Sequence, residues 1–436
     1  MRRPAAGAGV IALLVVGVAL TWPHWGAQPR WTSDSLFYEA QARELTGTSA
    51  AVAREQVFFG PIGRSVPDVR VRDRRHIAYA APFYRRRWVV PALDAALKPF
   101  FGIRSLAIVS LLGYLLSGVF VYLLARRRYR AGIALAAALS TLWFPPLRTW
   151  AGYPLTDTMG VATLALAVCA AHWALSGRRR RLLAWGAGVL LLAFTRDAAA
   201  IAVFAAAWLA LFTRTRRSLA LVATGVIAAL PAPILFGAPL RQELAFTFSR
   251  NDVPSDDSWH YVLTHYRAHL DGLIAEFPFR ANLPLTALLL GLLALLVTRP
   301  SPTARLDLIR RAAVAACLLA LALIALHIPL HLRALPEPLP GGILLVLALV
   351  PLFLAGNGDD FVHLARGGAI GAVGYLLLLP DYTALRYPLV ILPFAALGIA
   401  RAIERSAPLT LERPSPVRGA PSFEGAAGRA HARSRT

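Results

Sequence analysis

Long apolar runs recur along the chain, and each ends at arginine, proline or a short polar stretch. A helix needs about 20 mainly apolar residues to cross a bilayer, and shorter runs still fit tilted or buried segments. The pattern therefore predicts an all-α polytopic membrane protein with about twelve transmembrane helices, in a range of roughly 10 to 13. The predicted spans are residues 5–22, 105–125, 131–147, 157–175, 182–194, 198–213, 218–236, 283–298, 312–330, 339–355, 368–380 and 387–401.

Arginine clusters occupy alternate connections between these spans, at 126–130, 178–181 and 214–217. Clustered arginines resist translocation, so this alternation predicts that both termini are cytoplasmic. The first span follows Met1-Arg2-Arg3, and no convincing small-x-small cleavage site comes after it. We therefore expect an uncleaved signal anchor.

Two predicted outer connections, 23–102 and 237–282, are too long for simple turns. The second has apolar residues every three to four positions from Trp259 to Phe277. This spacing predicts an amphipathic helix that lies at the membrane interface or packs on the first loop. After Arg401 the chain is rich in proline, serine, glycine and arginine. We thus expect a membrane domain over 1–401 and a disordered basic cytoplasmic tail over 402–436.

Composition supports the membrane class: 57% of the residues are hydrophobic and the mean hydropathy is +0.55. The formal charge of +23 would suggest nucleic acid in a soluble protein. Here the arginines fall between apolar runs, so we expect the bilayer as partner and no nucleic acid. Both cysteines, Cys169 and Cys317, lie in apolar segments and indicate neither disulfide nor thiolate metal site. Abundant alanine, with Lys98 as the only lysine, hints at a bacterial plasma membrane protein.

Two acids at predicted outer ends of spans allow both a structural and a functional interpretation. Asp34 begins a helix-forming stretch in which Glu39 and Arg43 are spaced as an i,i+4 pair. Alone it is most simply a helix N-cap, and Asp157 is an N-cap or a site residue with equal weight.

Arginines at the predicted outer ends of spans also allow both a structural and a functional interpretation. Arg196 and Asp197 interrupt an apolar hairpin, where they form an interfacial salt bridge or Arg196 binds a lipid phosphate. Residues 83–88, Phe-Tyr-Arg-Arg-Arg-Trp, are an interfacial patch or a head-group clamp. Arg386 is a membrane anchor or another phosphate ligand.

The stretch from Asp34 to Tyr38, with Ala40 and Ala42 beyond it, resembles the first-loop acidic motif of the GT-C superfamily of polytopic glycosyltransferases. The 153–157 sequence Tyr-Pro-Leu-Thr-Asp, the Thr195-Arg196 turn and Arg386-Tyr387-Pro388 are also similar to that superfamily's pattern. The resemblance covers most of 1–401. It implies a GT-C-like fold and transfer of a sugar from a polyprenyl-phosphate donor to a lipid, glycan or protein acceptor on the extracytoplasmic face.

The resemblance also implies roles for individual residues. Many members have paired acids in the first loop, whereas Ser35 follows Asp34 here, so a divalent metal such as Mg²⁺ or Mn²⁺ stays open and would use Asp34 and Asp157. No other cofactor is expected. The implied roles are general base for Asp34, acceptor orientation or metal binding for Asp157, donor-phosphate binding for Arg196 and Arg386, and acceptor or donor positioning for Tyr38 and Tyr153. Arg87, from the 83–88 patch, is a further candidate for donor-phosphate binding.

Two other functions remain as alternatives. A transporter or lipid-linked sugar flippase would place ionisable residues near the bilayer midplane. The main candidates inside spans are His172 and His327, and each is more simply a packed histidine. A noncatalytic assembly factor would need Asp34 and Asp157 only for stability. The sugar is open among mannose, arabinose, galacturonate and aminoarabinose.

Overall fold

The computed structural model describes residues 4–177, 179–249, 252–276, 348–353, 359–378 and 387–406. These residues form helices and connecting turns, and none of them lies in a β-strand. The helices are α1 Pro4–Trp25, α2 Ser33–Leu45, α3 Ala50–Phe58, α4 Pro61–Ser65, α5 Arg74–Arg85, α6 Val89–Phe101, α7 Ser105–Ala125, α8 Ala131–Trp143, α9 Pro145–Ala151, α10 Asp157–Ala174, α11 Arg179–Thr195, α12 Ala199–Thr213, α13 Arg216–Ala229, α14 Pro231–Phe236, α15 Leu240–Phe248, α16 Trp259–Glu276, α17 Asp360–Leu378 and α18 Leu392–Ser406.

Within the described part of the chain, four helical stretches are long and apolar enough to cross a membrane: Gly7–Trp25, Val89–Ala125, Asp157–Ala174 and Arg216–Phe236. Shorter apolar helices cover Ala131–Trp143 and Ala199–Thr213. The all-helical prediction is confirmed for the described residues, while the count of twelve spans stays a prediction. The predicted spans 283–298 and 312–330, most of 339–355 and nearly all of the 402–436 tail lie outside the described residues.

Predicted and observed helix bounds agree best where no proline interrupts the run. The predicted spans 105–125 and 157–175 correspond to α7 and α10. The predicted span 131–147 instead divides into α8 and α9, because Phe144 is extended (φ −62°, ψ 113°) before Pro145. Steric conflict with the proline ring disfavours helical backbone at the preceding residue.

Helix α7 lies at the centre of the helical body and packs on α1, α8 and α10. At Gly113 a Cβ would lie 2.6 Å from the Met159 backbone nitrogen, so α7 and α10 meet backbone to backbone. Near this contact the Thr158 hydroxyl donates to the Ser110 carbonyl (2.7 Å), and the Leu155 N–H donates to Ser110 Oγ (2.9 Å). These contacts fix the segment that carries Asp157.

The predicted first outer loop folds into α2 to α6 around an apolar cluster of its own. Leu36, Tyr38, Phe58 and Val71 are fully buried in it. Burial of such side chains is the main favourable term for ordering the loop. The cluster continues into α7 through Leu106 and Val109, and into α10 and the turn before it through Met159 and Leu155.

The second outer loop joins this assembly through α15. Phe246 stacks on Phe83 of α5, with ring centroids 4.8 Å apart. The amphipathic helix predicted from Trp259 is observed as α16, which packs through Val262 against Ala245 and Phe248 of α15. The sequence offered packing of the amphipathic helix, α16, on the first loop as one alternative. In the structure α15 makes a contact with that loop, and α16 packs on α15.

Helix ends fall into two groups. We call the end that carries Asp34, Asp157 and Asp197 the polar end, and the opposite end, which carries Arg126, Arg128 and Arg217, the basic end. At the basic end Arg128 pairs with Asp359 (3.0 Å), and Arg217 donates to the carbonyl of Leu175, which follows α10 (3.4 Å). The structure thus groups the predicted outer residues together, and which end faces outwards stays a prediction.

Candidate functional site

Asp34 does not cap α2, contrary to the simplest sequence-based interpretation. Thr32 is the N-cap: its Oγ1 accepts from the Ser35 N–H, and Ser35 Oγ accepts from the Thr32 N–H. Asp34 is the second residue of the helix, and its half-buried Oδ1 accepts from the Tyr84 hydroxyl at 2.6 Å. A tertiary contact 50 residues away along the chain therefore orients this carboxylate.

Tyr84 is held rigidly beneath Asp34. Its ring stacks on Phe37 with a centroid distance of 4.3 Å and an interplanar angle of 3°. Burial raises the pKa of the Tyr84 phenol well above its ordinary value, and the nearby Asp34 charge raises it further. Tyr84 consequently keeps its proton at neutral pH and acts as a donor to Asp34.

Arg87 connects this pair with the rest of the polar end. Its Nη1 donates to the Tyr38 hydroxyl (2.9 Å), while Nε and Nη2 donate to Asp197 Oδ2 (3.1 and 2.6 Å). Its guanidinium lies 5.6 Å from the Tyr84 ring centroid. The Tyr38 hydroxyl is 3.4 Å from Thr156 Oγ1, so the chain of contacts reaches the residue before Asp157.

Arg86 joins the two predicted outer loops. It pairs with Asp197 and with Glu243 of α15, and its Nη1 donates to Glu243 Oε2 at 2.8 Å. Burial would raise the pKa of Asp197, but the charges of Arg87 and Arg86 outweigh it and hold that pKa at about 2. The group is thus a charged network at neutral pH, not a proton carrier.

Asp157 and Arg196 form a second, deeper ion pair. Their side chains are only 1% and 2% exposed. Asp157 is the first residue of α10, and Thr156 occupies the N-cap position, so the N-cap interpretation of Asp157 is wrong. The predicted salt bridge between Arg196 and Asp197 is also corrected, because each residue of that turn pairs with a different element.

Glycine makes room for the deeper pair. At Gly160, one turn along α10 from Asp157, a Cβ would lie 2.7 Å from Arg196 Cδ. A side chain at this position would displace the arginine stem. The close approach lets Arg196 cross α10 and reach Asp157 without exposure to solvent, where an unpaired charge would be costly.

The structure brings most of the sequence-predicted site residues to one end. Asp34, Tyr38, Arg87, Asp157 and Arg196 lie at the polar end, and Arg386 lies outside the described residues. Tyr153, half-buried, packs with Trp150 at a centroid distance of 5.0 Å.

The metal alternative for Asp34 and Asp157 stays a prediction. Among the residues that the structure describes, no group of three or more His, Cys, Asp or Glu side chains stands in a metal-binding arrangement. Asp157 already has Arg196 as a counter-charge. Hard divalent cations prefer several oxygen ligands, and two carboxylates would supply only part of such a set.

Sequence reasoning did not assign the functions of Tyr84, Arg86 and Glu243. Tyr84 and Arg86 belong to the 83–88 patch, which the sequence marked only as an interfacial patch or a clamp. Glu243 lies 157 residues from Arg86, and the only local signal is an acid in the first turn of α15. A contact between residues so far apart in sequence depends on how the two loops pack. The spacing of residues within one segment predicts only contacts inside that segment.

Comparison with protein-family models, with curated proteins and with solved structures finds no match for this chain. The polar end offers a half-buried carboxylate, Asp34, that is hydrogen-bonded to the Tyr84 phenol, and it also holds arginine–carboxylate pairs. This combination suits proton transfer from a hydroxyl next to an anionic leaving group.

Proposed function

We propose that this chain is an integral-membrane glycosyltransferase of the GT-C type, with about twelve transmembrane helices in a bacterial plasma membrane. It moves a sugar from a polyprenyl-phosphate donor to a lipid, glycan or protein acceptor on the extracytoplasmic face. One observation carries the proposal: Asp34, the acid of the GT-C-like motif, accepts a hydrogen bond from Tyr84, whose ring contacts Arg87, instead of serving as a helix cap.

In the proposed reaction, the Asp34 carboxylate accepts the proton of an acceptor hydroxyl. The acceptor oxygen bonds to the anomeric carbon while the carbon–oxygen bond to phosphate breaks, and polyprenyl phosphate leaves with the bonding electrons. A positioned general base typically contributes about 10²- to 10⁴-fold to the rate. The Tyr84 hydrogen bond supports this role because it fixes the orientation of the carboxylate.

Arg87 is the best-supported ligand for the donor phosphate. It holds one Asp197 oxygen through two nitrogens, which shows that its planar fork is already aimed at an anion. It is 11% exposed, whereas Arg196 is 2% exposed and paired with Asp157. Arg196 in this arrangement is better suited to fixing the start of α10, with Arg386 as a further proposed phosphate ligand.

The proposal is tested with the purified full chain in lipid vesicles. Mannosyl, arabinosyl, galacturonosyl and aminoarabinosyl polyprenyl phosphates are offered with a membrane extract as acceptor, and released polyprenyl phosphate is measured. Wild-type protein should turn over at least one donor, and Asp34→Asn should be slower by about 10²-fold or more with an unchanged melting temperature.

Asp73→Asn is the matched control. Asp73 also lies in the first loop but caps α5 by accepting from the Arg75 N–H, and asparagine caps a helix equally well. This variant should retain wild-type activity. Equal rates for Asp34→Asn and wild type would overturn the proposal, as would donor movement across the bilayer with no sugar transfer.

A further inference from the structure

A cavity of about 650 Å³ lies between α7, α10 and α11 and extends from the basic end. Lipid and small-molecule sites typically enclose about 300–1,000 Å³, so its size suits an organic ligand. Most of its wall is apolar. The lining residues are Leu123, Arg126, Arg127, Leu166, Cys169, Ala170, Trp173, Ala184, Ala187, Gly188 and Leu191.

The cavity has a charged end and an apolar end. Arg126 and Arg127 follow directly after α7, so they stand at the basic end. From there the α10 wall runs back from Trp173 to Leu166 and the α11 wall runs forward from Ala184 to Leu191. Seven residues of helix span roughly 10 Å, which is the length of a short stretch of hydrocarbon chain.

Aromatic and cationic groups reinforce the charged end. Trp173 is 40% exposed, and the Arg181 guanidinium lies 5.0 Å from its ring centroid. Tryptophan favours the interfacial level of a bilayer, and basic pockets between helices attract phosphate head groups. Arg126 and Arg127 therefore line the charged end of the groove, and Arg181 lies against the Trp173 ring there.

We propose that this cavity binds an anionic phospholipid. The phosphate contacts Arg126 and Arg127, and one acyl chain lies along the α10 and α11 walls. The arginines complement an anionic head group, and the apolar side chains of the walls suit an acyl chain. The cavity therefore selects an amphiphile with an anionic head group. The proposal does not depend on the glycosyltransferase function, since the cavity is separate from Asp34 and its partners.

Native mass spectrometry of the full chain in a neutral detergent tests the proposal, with dioleoyl phosphatidylglycerol and dioleoyl phosphatidylcholine as probes. Phosphatidylglycerol should form a saturable adduct and phosphatidylcholine a much weaker one. The double variant Arg126→Gln/Arg127→Gln should bind phosphatidylglycerol about 10- to 30-fold more weakly, because each basic residue contributes to head-group attraction. Arg128→Gln is the matched control, since Arg128 pairs with Asp359 and Glu404 and does not line the cavity.

A second variant tests the groove itself. Ala187 is exposed on the cavity wall, so Ala187→Trp should fill the groove and weaken phosphatidylglycerol binding while the melting temperature stays the same. If that variant does not fold, Ala170→Trp fills the groove from the opposite wall.

Several results would overturn the proposal. One is an equal loss for Arg128→Gln and the double variant, and another is unchanged binding in the groove-filling variant. The absence of a saturable adduct, equal binding of phosphatidylcholine, or tighter binding of a polyprenyl phosphate would also contradict it.

Discussion

The two ends of the helical body use arginine in different ways. At the polar end arginine is buried against carboxylates, as in Arg196–Asp157, where the side chains are 2% and 1% exposed. At the basic end it is solvated, as in Arg128–Asp359, where they are 41% and 51% exposed. Charge interactions are strong where water is excluded and weak where it is present. The two ends thus differ in how far their arginine–carboxylate pairs are buried, and we expect the buried pairs to contribute more to stability.

Aromatic side chains hold Asp34 and Arg87 in place at the polar end. Tyr84, stacked on Phe37, holds Asp34, and Tyr38 connects Arg87 with Thr156. Such side chains fix the position of charged groups before a substrate arrives, which is how an active site lowers a reaction barrier. We therefore propose catalysis at the polar end and a lipid contact at the basic end.

The largest effect on stability should come from separating the buried pair. Arg196→Ala leaves Asp157 as an uncompensated buried charge, so we expect a loss of about 3–5 kcal/mol in the free energy of unfolding. Denaturant-induced unfolding in detergent measures it. The double variant Asp157→Asn/Arg196→Gln should lose less than Arg196→Ala does, and an equal or larger loss would show that packing, not charge, dominates at this position.

Replacing Arg87 should weaken donor binding and also remove one of the two partners of Asp197. Arg87→Gln removes the cation that we assign to the donor phosphate, and hydrogen bonds to charged groups contribute about 1.5–3 kcal/mol. The KM for the donor should therefore rise by about 10- to 100-fold, with a smaller change in kcat. Arg87→Lys keeps the charge without the fork and should be intermediate. An unchanged KM would assign the phosphate to another residue, with Arg386 tested next.

Acid should weaken the polar end over a defined pH range. Asp197 has a pKa of about 2 in the folded protein, below its ordinary 3.8, so its pairing stabilises the fold fully above pH ~4. That contribution, about 2 kcal/mol, is lost as the pH falls from about 4 to 2. Melting temperatures of wild type and Asp197→Asn, recorded between pH 7 and 2, should converge at the acid end. A constant difference would contradict the assignment.

Loss of the α2 cap should have a moderate effect. Thr32→Ala removes one half of the capping box next to Asp34, and N-cap removal costs about 1 kcal/mol. Ser49→Ala is its control, because Ser49 occupies the N-cap of α3 without a side-chain cap hydrogen bond. Unfolding free energies should show a loss for Thr32→Ala only. The same loss at both positions would remove the distinction between the two caps.

The smallest effect should come from the exposed pair at the basic end. Arg128→Gln separates arginine from Asp359 and Glu404 in a solvated setting, where such pairs contribute about 0–1 kcal/mol. Chemical unfolding should barely distinguish this variant from wild type. A loss as large as that of Arg196→Ala would abolish the contrast between the two ends.

Sequence periodicity predicted the helices well because helix formation depends on nearby residues. The α7 and α10 bounds agree with the predicted spans, and the pair of Glu39 and Arg43 is observed at 2.9 Å. The helix bounds and this ion pair both depend on residues within one or two helical turns. The sequence pattern shows such residues directly.

The partners of the charged residues could not be predicted in the same way. Sequence alone left Arg196 either in a salt bridge with its neighbour Asp197 or on a lipid phosphate, whereas Arg196 reaches Asp157 across the space left by Gly160. It made Asp34 a cap, although Thr32 competes better for the first-turn N–H groups. The link between Arg86 and Glu243 depends on how two loops dock, which no local pattern reports.

The most direct test of the central claim, that the polar end carries out sugar transfer outside the cell, uses sealed membrane vesicles of known orientation. A water-soluble short-chain polyprenyl-phosphate sugar, drawn from the four sugar classes above, is supplied from the external medium. Right-side-out vesicles with wild-type protein should release prenyl phosphate, and vesicles with Asp34→Asn should be slower by about 10²-fold or more. Turnover confined to inverted vesicles, or equal rates for both proteins, would contradict the account.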